Sequence, residues 1–284
     1  MHILQGTRYC STAAGILILC LTIQTVLLFA NPDRPKKSES NFFSSIARLQ
    51  TGIAPLPRIM LLGSSMTGRL PDRAMGWEKV ANLGCDGGSA VTVLRAIADC
   101  KFPAPEAVII EANTLVMGLK SQQSEIDEAI DSSWFWLGVR FPQVGAIGRP
   151  ASIAYSQLLA RRLGSYVKTS RPANTPVPPA TAWHTVLLLS PEAENTAARL
   201  CDLFNRVRSR SVKIAIVQLP CRREQRTDWI DIVREVSRRT GAAFIDAANR
   251  LPAGSLRFTD DVHMDAATAS LCLDYILAAC PCLD

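Results

Sequence analysis

Apolar residues recur along the chain in short continuous runs, and amphipathic stretches with helical spacing separate these runs. Runs without polar alternation predict strands that are buried on both faces; they lie at residues 58–62, 79–83, 107–111, 212–219 and 242–246. The stretches with helical spacing lie at residues 89–100, 121–131, 151–163, 192–208, 228–240 and 266–279. This alternation predicts an α/β protein, a flavodoxin-like three-layer α/β/α sandwich around a central parallel sheet.

The amino-terminal part of the chain is strongly apolar. No charged residue occurs between Tyr9 and Pro32, and residues 13–30 are almost wholly apolar. This length is just sufficient to cross a bilayer as one helix, so we expect a single-pass transmembrane anchor. A cleaved signal peptide is the alternative, although no A-x-A-like site closes the segment. Residues 1–12 then form a short amino-terminal segment, and the polar, proline-broken residues 31–50 form a tether.

The charges that flank this segment bear on its orientation. Arg8 precedes it, whereas Arg34, Lys36 and Lys37 follow it. If only these charges are counted, the positive-inside rule places the body of the protein in the cytoplasm. Large domains, however, are translocated largely regardless of such counts. We therefore expect a membrane-anchored protein whose body, residues 51–284, is extracytoplasmic or periplasmic.

The overall composition is that of a packed globular protein. Of the 284 residues, 48% are hydrophobic and 20% are charged, and the net charge is +6. This length accommodates one good-sized domain and a short appendage. Arginines concentrate in the last third, but acidic residues are interspersed and no nucleic-acid-binding motif occurs. We interpret these arginines as a solvated helix surface and expect no nucleic acid partner.

Cysteine usage gives little support for a metal site. The chain has nine cysteines. Cys280 and Cys282 form a pair, but no second pair lies at zinc-binding spacing, so neither a metal nor another cofactor is expected. Two alternatives stay open for the cysteines of the body: one or two disulfides if it is extracytoplasmic, or buried free thiols.

A serine turn follows the first predicted strand. The sequence Gly63-Ser64-Ser65-Met66-Thr67 leads from this strand into the next segment. A serine on a tight strand-to-helix turn is exposed, and the neighbouring N–H groups stabilise negative charge, which favours Ser65 as a nucleophile. The alternative is that Ser64 or Ser65 only caps a helix. The turn lacks the G-x-S-x-G pattern, which disfavours an ordinary α/β-hydrolase.

An acidic segment at residues 260–265 contains His263. A serine nucleophile needs a base, and the base needs a carboxylate that fixes its tautomer. The chain has three histidines; His2 precedes the anchor and His184 follows a proline-rich stretch, so His263 is the candidate base by elimination. Asp260, three residues earlier, supplies a carboxylate. The alternative is a divalent-cation site formed by this segment, but a second ligand cluster is missing.

Two further polar positions follow predicted strands. Gly84 ends the second strand, and Asn113 follows the third. A glycine N–H and an asparagine amide, beside the N–H of Ser65, are suitable donors for an oxyanion hole. Each residue taken singly is equally consistent with an ordinary turn.

The order of these residues along the chain resembles that of the SGNH (GDSL-type) hydrolase superfamily. Its four blocks correspond here to Gly63-Ser64-Ser65, Gly84, Asn113 and Asp260-x-x-His263, and the resemblance covers residues 57–280. It implies the SGNH hydrolase fold and two sets of functional residues. The implied catalytic triad is Ser65, His263 and Asp260, with the family spacing selecting Asp260 over Asp261. The implied oxyanion hole is Ser65, Gly84 and Asn113.

Two blocks depart from the family pattern. The first has Gly-Ser-Ser where the family commonly has Gly-Asp-Ser, and the third has Glu111-Ala112-Asn113-Thr114 where the family commonly has Gly-x-Asn-Asp. Neither departure removes a catalytic atom, and both indicate a divergent branch. Gly-Ser-Ser together with an amino-terminal membrane helix is similar to SGNH proteins that acylate cell-surface polymers, such as alginate and peptidoglycan O-acetyltransferases and the teichoic-acid D-alanylation protein.

The resemblance implies a serine esterase that acts on carbohydrate or envelope-associated O-acyl esters through an acyl-enzyme. The first alternative is an O-acyltransferase that moves the acyl group onto a cell-surface polysaccharide, with a membrane protein as acyl donor. The alternative of another class is a catalytically silent scaffold of the same fold in an envelope assembly complex. The expected partners are thus an acyl-ester substrate and the membrane.

Overall fold

A five-stranded parallel sheet forms the centre of the protein. The computed structural model describes residues 2–30, 35–120, 125–168, 177, 179–223 and 226–280. The strands are β1 (Ile59–Leu62), β2 (Val80–Asn82), β3 (Ala107–Glu111), β4 (Lys213–Gln218) and β5 (Ala243–Asp246). Their order across the sheet is β2-β1-β3-β4-β5, and every neighbouring pair is parallel. Flavodoxin-like doubly wound sheets have this order, and their sites lie outside the carboxyl ends of the strands.

Helices precede, separate and follow the strands along the chain. They are α1 (His2–Ala30), α2 (Asn41–Gly52), α3 (Val91–Ala98), α4 (Leu115–Lys120), α5 (Glu125–Ile130), α6 (Ser133–Arg140), α7 (Pro150–Leu163), α8 (Pro191–Arg208), α9 (Thr227–Thr240), α10 (Ala247–Arg250) and α11 (Ala266–Ala279). Short 3-10 turns lie at Thr67–Arg69, Arg73–Met75, Ala146–Gly148 and Ala253–Ser255. The expected α/β class with a parallel sheet is confirmed, and each predicted strand is present within two residues of its predicted bounds.

Both faces of the sheet are buried, because successive side chains of a strand point to opposite faces. On β1, Met60 and Leu62 pack into one core together with α2, α3, α8 and α9. Ile59 and Leu61 pack into a second core, which includes residues of α11. This two-sided burial explains why the strands are continuous apolar runs in the sequence. The polar ends of these strands are consequently available to form a site.

Helix α2 differs from the prediction of a polar tether through residue 50. Residues 41–52 are helical, and Ser40 caps the helix by accepting a hydrogen bond from the N–H of Phe43 at 3.2 Å. Ile46 and Leu49 are 0% exposed and belong to the first core. The tether prediction is therefore wrong for residues 41–50: this segment has an apolar face that the core buries. Residues 31–34 lie outside the described part of the chain.

Helix α1 has the properties expected of the anchor. The stretch Tyr9–Leu28 is long and apolar enough to cross a membrane, with a mean hydropathy of 2.0, and none of it is buried against the body. The helix continues on both sides of this stretch, so it is longer than the predicted residues 13–30. Length and composition are the basis of this assignment, and a signal sequence would share both.

The described cysteines are free thiols. Cys85, Cys272 and Cys280 are buried, and Cys100 is exposed. Burial raises the pKa of Cys85 and of Cys272 to about 12. Cys282 lies outside the described residues. The alternative of buried free thiols thus applies to Cys85, Cys272 and Cys280, which behave as small apolar side chains in the core.

Candidate active site

Ser65, His263 and Asp260 come together although the serine and the aspartate are 195 positions apart along the chain. The Oγ atom of Ser65 lies 2.8 Å from Nε2 of His263. On the other side of the ring, Nδ1 lies 2.9 Å from Oδ2 and 3.0 Å from Oδ1 of Asp260. With Nδ1–H donating to Asp260, Nε2 accepts the hydrogen bond of the serine hydroxyl. The three side chains thus stand in the hydrogen-bonding sequence that a nucleophile, a base and an orienting carboxylate require.

The loop before α11 fixes Asp260 against the imidazole. Its Oδ1 accepts hydrogen bonds from the backbone N–H groups of Val262 at 2.9 Å and His263 at 2.8 Å. Partial burial disfavours the charged carboxylate, but these N–H groups and the His263 ring outweigh it and hold the pKa of Asp260 at about 2. Asp260 is therefore ionised at neutral pH, which keeps it a hydrogen-bond acceptor.

A buried carboxylate at the end of β3 organises the serine turn. Glu111 is 0% exposed. Its oxygens accept from the N–H of Ser64 at 2.8 Å, the hydroxyl of Ser64 at 2.9 Å, the hydroxyl of Thr67 at 2.7 Å and the hydroxyl of Thr114 at 2.9 Å. The N–H of Thr67 also donates to it, at 3.2 Å. Glu111 was absent from the predicted site, although a charged residue closing an apolar strand was a signal for it.

The glycines on either side of the turn permit its close packing. A Cβ at Gly63 would collide with the side chains of Thr67 and Glu111. A Cβ at Gly84 would lie 2.7 Å from the carbonyl oxygen of Ser64 and nearer still to the backbone of Gly68. Both positions thus need glycine because backbone or side-chain atoms of the turn occupy the space of a side chain.

The three predicted oxyanion donors differ in their availability. No described residue accepts a hydrogen bond from the backbone N–H of Ser65. The N–H of Gly84, in contrast, donates to Oδ1 of Asn82 at 2.9 Å. The side chain of Asn82 is itself fixed, because its Nδ2 donates to the carbonyls of Thr67 and Leu70 at 2.7 and 2.6 Å. In this structure, therefore, the N–H of Gly84 is engaged and the residue serves close packing, and its role as an oxyanion donor stays a prediction.

Asn113 lies where β3 and β4 end. Its Nδ2 donates to the carbonyl of Leu219 at 3.0 Å, and its Oδ1 accepts from the N–H of Leu219 at 2.9 Å. An asparagine amide has two N–H donors, and no described residue accepts a hydrogen bond from the second one. The pair of hydrogen bonds holds the amide plane rigidly at the carboxyl edge of the sheet, and the free N–H keeps Asn113 available as a donor.

A cavity of about 250 Å³ adjoins Ser65 and His263. It is lined by Pro35, Lys36, Lys37, Asn41, Arg48, Ser65, Gly68, Arg69, Asp86, Gly87, Leu159 and His263. Neither Gly84 nor Asn113 is among these lining residues. The cavity is thus bounded by the serine turn, by α2 and α7, and by the segment that follows the apolar helix α1.

Asp86 forms the acidic centre of the cavity wall. It pairs with Lys37 at 2.7 Å and with Arg48. Burial acts to raise the pKa of Asp86, but the charges of Arg48 and Lys37 outweigh burial and hold it below its usual value. Arg48 also donates through Nε to the carbonyl of Gly84 at 2.6 Å. This network joins α2 to the segment that follows β2.

Comparison with known proteins gives no assignment: no protein-family model matches the chain, and neither a curated protein nor a solved structure is significantly similar to it. The site is therefore interpreted from its own residues.

The carboxylates near His263 do not converge on a cation. Asp265, which belonged to the alternative cation site, instead caps α11 by accepting from the N–H of Thr268 at 2.8 Å. Asp260 is engaged with His263. Within the described ranges, no group of three or more His, Cys, Asp or Glu side chains is arranged to hold a metal ion. The described side chains thus form a serine–histidine–aspartate arrangement.

Proposed function

We propose that the protein is a serine-dependent acyl-ester hydrolase of the SGNH type, acting on carbohydrate or envelope-associated O-acyl esters. The observation that carries this proposal is the continuous hydrogen-bonded series from Ser65 through His263 to Asp260. The strand order of the sheet and the position of these residues beyond strand ends agree with the SGNH hydrolase fold. The apolar helix α1 agrees with a membrane-anchored enzyme.

The mechanism follows from the geometry. As Oγ of Ser65 attacks the ester carbonyl carbon, Nε2 of His263 accepts the hydroxyl proton, and Asp260 stabilises the resulting imidazolium. The carbonyl oxygen becomes an oxyanion, which the N–H of Ser65 and the unpaired amide N–H of Asn113 are suited to stabilise. Collapse of this intermediate breaks the ester bond, and His263 returns the proton to the leaving alcohol. An acyl-Ser65 ester remains.

Deacylation repeats these steps with a second nucleophile. In hydrolysis, His263 removes a proton from water, the hydroxide attacks the acyl carbon, and Ser65 regains its proton as the free acid leaves. A sugar hydroxyl in place of water gives the transferase reaction with the same residues. The choice depends on whether the cavity holds an acceptor and excludes water.

A fluorophosphonate probe tests the nucleophile directly. The probe phosphonylates an activated serine, so we expect it to label the full-length protein in detergent and to lose this labelling in Ser65→Ala and His263→Ala. Ser209→Ala is the matched control, because Ser209 is an exposed serine at the end of α8. In-gel fluorescence measures the labelling, and circular dichroism checks that each variant is folded.

The outcomes of this experiment are distinct. Absence of labelling in folded wild-type protein, or labelling that persists in Ser65→Ala, contradicts the enzyme and favours the catalytically silent scaffold. If labelling requires Ser65, turnover of an acetyl ester with and without oligosaccharide acceptors separates the two reactions. Release of acetate that is independent of acceptor identifies a hydrolase, whereas acetate release that falls as acetylated oligosaccharide forms identifies a transferase.

A further inference from the structure

The cavity beside the serine carries an excess of positive charge. Its four basic lining residues are Lys36, Lys37, Arg48 and Arg69. Two carboxylates compensate them, since Asp86 pairs with Lys37 and Arg48, and Asp72 pairs with Lys36 at 2.6 Å. Four cations less two carboxylates leave two positive charges at the cavity, with the Asp260–His263 pair considered separately.

Arg69 differs from the other three cations in having no hydrogen-bond acceptor among the described residues. Among the described residues, no carboxylate or carbonyl accepts a hydrogen bond from its guanidinium, and its Nη1 atom is buried without one. Burial lowers the pKa of the Arg69 guanidinium. A buried donor without an acceptor is costly to the fold, and more so when the donor is charged. Arg69 as a whole is only half-buried and lines the cavity, so an acceptor bound there would complete the hydrogen bonding of its guanidinium.

The other basic side chains have fixed partners. Arg48 donates to the carbonyl of Gly84 at 2.6 Å and to the carbonyl of Lys36 at 3.0 Å, besides its pair with Asp86. Lys37 is held by Asp86. Their positive field remains in the cavity, but each of them is already tied to a carboxylate of the protein. Arg69 is consequently the lining cation for which no described residue supplies a hydrogen-bond acceptor.

Arg69 is also close to the chemistry along the chain. It ends the 3-10 turn Thr67–Arg69, which begins two residues after Ser65. Its own carbonyl accepts a hydrogen bond from the hydroxyl of Tyr166 at 3.1 Å, which helps to fix this end of the turn. Arg69 and Ser65 therefore belong to one rigid segment and line one cavity, so a group bound by Arg69 would be held beside the reacting ester.

We propose that this cavity is a subsite for an anionic oxygen group of the substrate, a carboxylate or a phosphate next to the ester, and that Arg69 binds this group. The guanidinium presents paired N–H donors in a plane that matches both kinds of oxyanion. The identification of the bound molecule as substrate rests on the proposed esterase function. The anion site itself rests only on Arg69 and the charge of the cavity.

Ligand binding to the full-length protein in detergent tests the subsite independently of catalysis. Three related sugars serve as probes: glucuronate, which carries a carboxylate, glucose 6-phosphate, which carries a phosphate, and neutral glucose. Calorimetric titration of Ser65→Ala measures their affinities without turnover. We expect at least one charged sugar to bind at least tenfold more tightly than glucose, and the tighter of the two identifies the preferred oxyanion.

Variants then assign the binding to Arg69. In the Ser65→Ala background, Arg69→Gln should weaken binding of the preferred charged sugar about tenfold or more and leave glucose unchanged. Arg69→Lys, which keeps the charge but loses the planar fork, should give a smaller loss and remains informative if Arg69→Gln does not fold. Arg161→Gln is the matched control, because Arg161 is an exposed arginine of α7 outside the cavity lining, and it should bind like its parent.

Two results would overturn the subsite: equal affinities for the charged and neutral sugars, or equal losses in the Arg69 and Arg161 variants. Absence of fluorophosphonate labelling in wild-type protein would contradict the esterase but not the anion site. Labelled wild-type protein whose Ser65→Ala variant binds charged and neutral sugars equally would contradict the anion site but not the esterase. The two proposals therefore fail separately.

Discussion

At the scale of single residues, two adjacent carboxylates differ in what they contact. The side chain of Asp260 reaches Nδ1 of His263, whereas Asp261 is exposed and contributes its backbone carbonyl to the N–H groups of Arg222 and Arg223. We predict that Asp260→Asn lowers kcat by roughly 10²–10⁴-fold, because the amide no longer fixes the productive tautomer of the base. Asp261→Asn, the matched control, should stay within about twofold. Steady-state kinetics on an acetyl ester measure both.

The direction of the pKa shift of Asp260 determines the pH range in which the two variants should be compared. Its pKa falls from the ordinary 3.8 to about 2 in the folded protein. The associated stabilisation is fully present above pH 3.8 and is lost as the pH falls through 2. Measurements between pH 5 and 8 therefore compare an ionised aspartate with a neutral amide. Equal losses in the two variants, or a larger loss in Asp261→Asn, would contradict the assignment of Asp260.

The hydrogen-bonded arrangement of Ser65, His263 and Asp260 could be predicted from the sequence, but its surroundings could not. Each of these residues belongs to a short pattern that can be recognised locally in the sequence. The serine pattern lies near the beginning of the body, and the pattern with Asp260 and His263 lies near its end. The availability of the Gly84 N–H depends on Asn82, whose side chain accepts a hydrogen bond from it. The position of that side chain is fixed by its own hydrogen bonds to the carbonyls of the segment after the serine turn, which exist only in the folded protein. Nothing in the sequence pointed to Arg69 as a binding residue. That no described residue accepts a hydrogen bond from its guanidinium is a property of the assembled cavity.

At the scale of elements, α2 is part of the body whereas α1 is not. We predict that a chain starting at Pro35 folds and stays soluble without detergent, because the apolar stretch Tyr9–Leu28 is not buried in the protein. A chain starting at Ile53 should aggregate or unfold, because it loses α2. Burial of Ile46 and Leu49 alone contributes about 1.5–3 kcal/mol each, a large share of the roughly 5–15 kcal/mol that stabilises a domain. Circular dichroism melts and size-exclusion chromatography measure the outcome.

The two truncations control for each other, since both remove the apolar stretch and only the second removes α2. Equal stability of the two shortened proteins would show that α2 is dispensable. Aggregation of the longer one would show that α1 supports the body, contrary to its exposure.

The difference between the strands and α2 explains which elements could be predicted. Strands of the sheet are buried on both faces, so each is a continuous apolar run. Helix α2 buries polar side chains as well, and their partners are distant in sequence. Ser45 accepts from the N–H of Asp86 at 2.8 Å, and Gln50 bridges the carbonyl of Phe135 and the N–H of Ala146 at 3.0 and 2.8 Å. These polar residues made the segment resemble a solvated tether.

At the scale of the whole molecule, the proposed active site lies close to the anchor along the chain. Helix α1 ends at Ala30, and Pro35, Lys36 and Lys37 already line the cavity. Five residue steps extend at most about 18 Å, since each step adds at most about 3.6 Å. If α1 spans the bilayer, the cavity must therefore lie near the membrane surface. An ester presented at that surface, on a polymer or a lipid-linked sugar, is the kind of substrate that this placement suits.

The side of the membrane on which this site lies decides between envelope and cytoplasmic substrates. We predict that a membrane-impermeant maleimide labels Cys100 in intact cells that express the full-length chain, because we expect an extracytoplasmic body and Cys100 is exposed. Cys85 and Cys272 are buried with pKa values of about 12, so they should stay unreactive in the folded protein. The label is assigned by its loss in Cys100→Ser, and lysed cells give the full signal. Labelling of Cys100 only after lysis would place the body in the cytoplasm. The lysines and arginine that follow α1 would then obey the positive-inside rule. The substrate would in that case have to be a cytoplasmic ester.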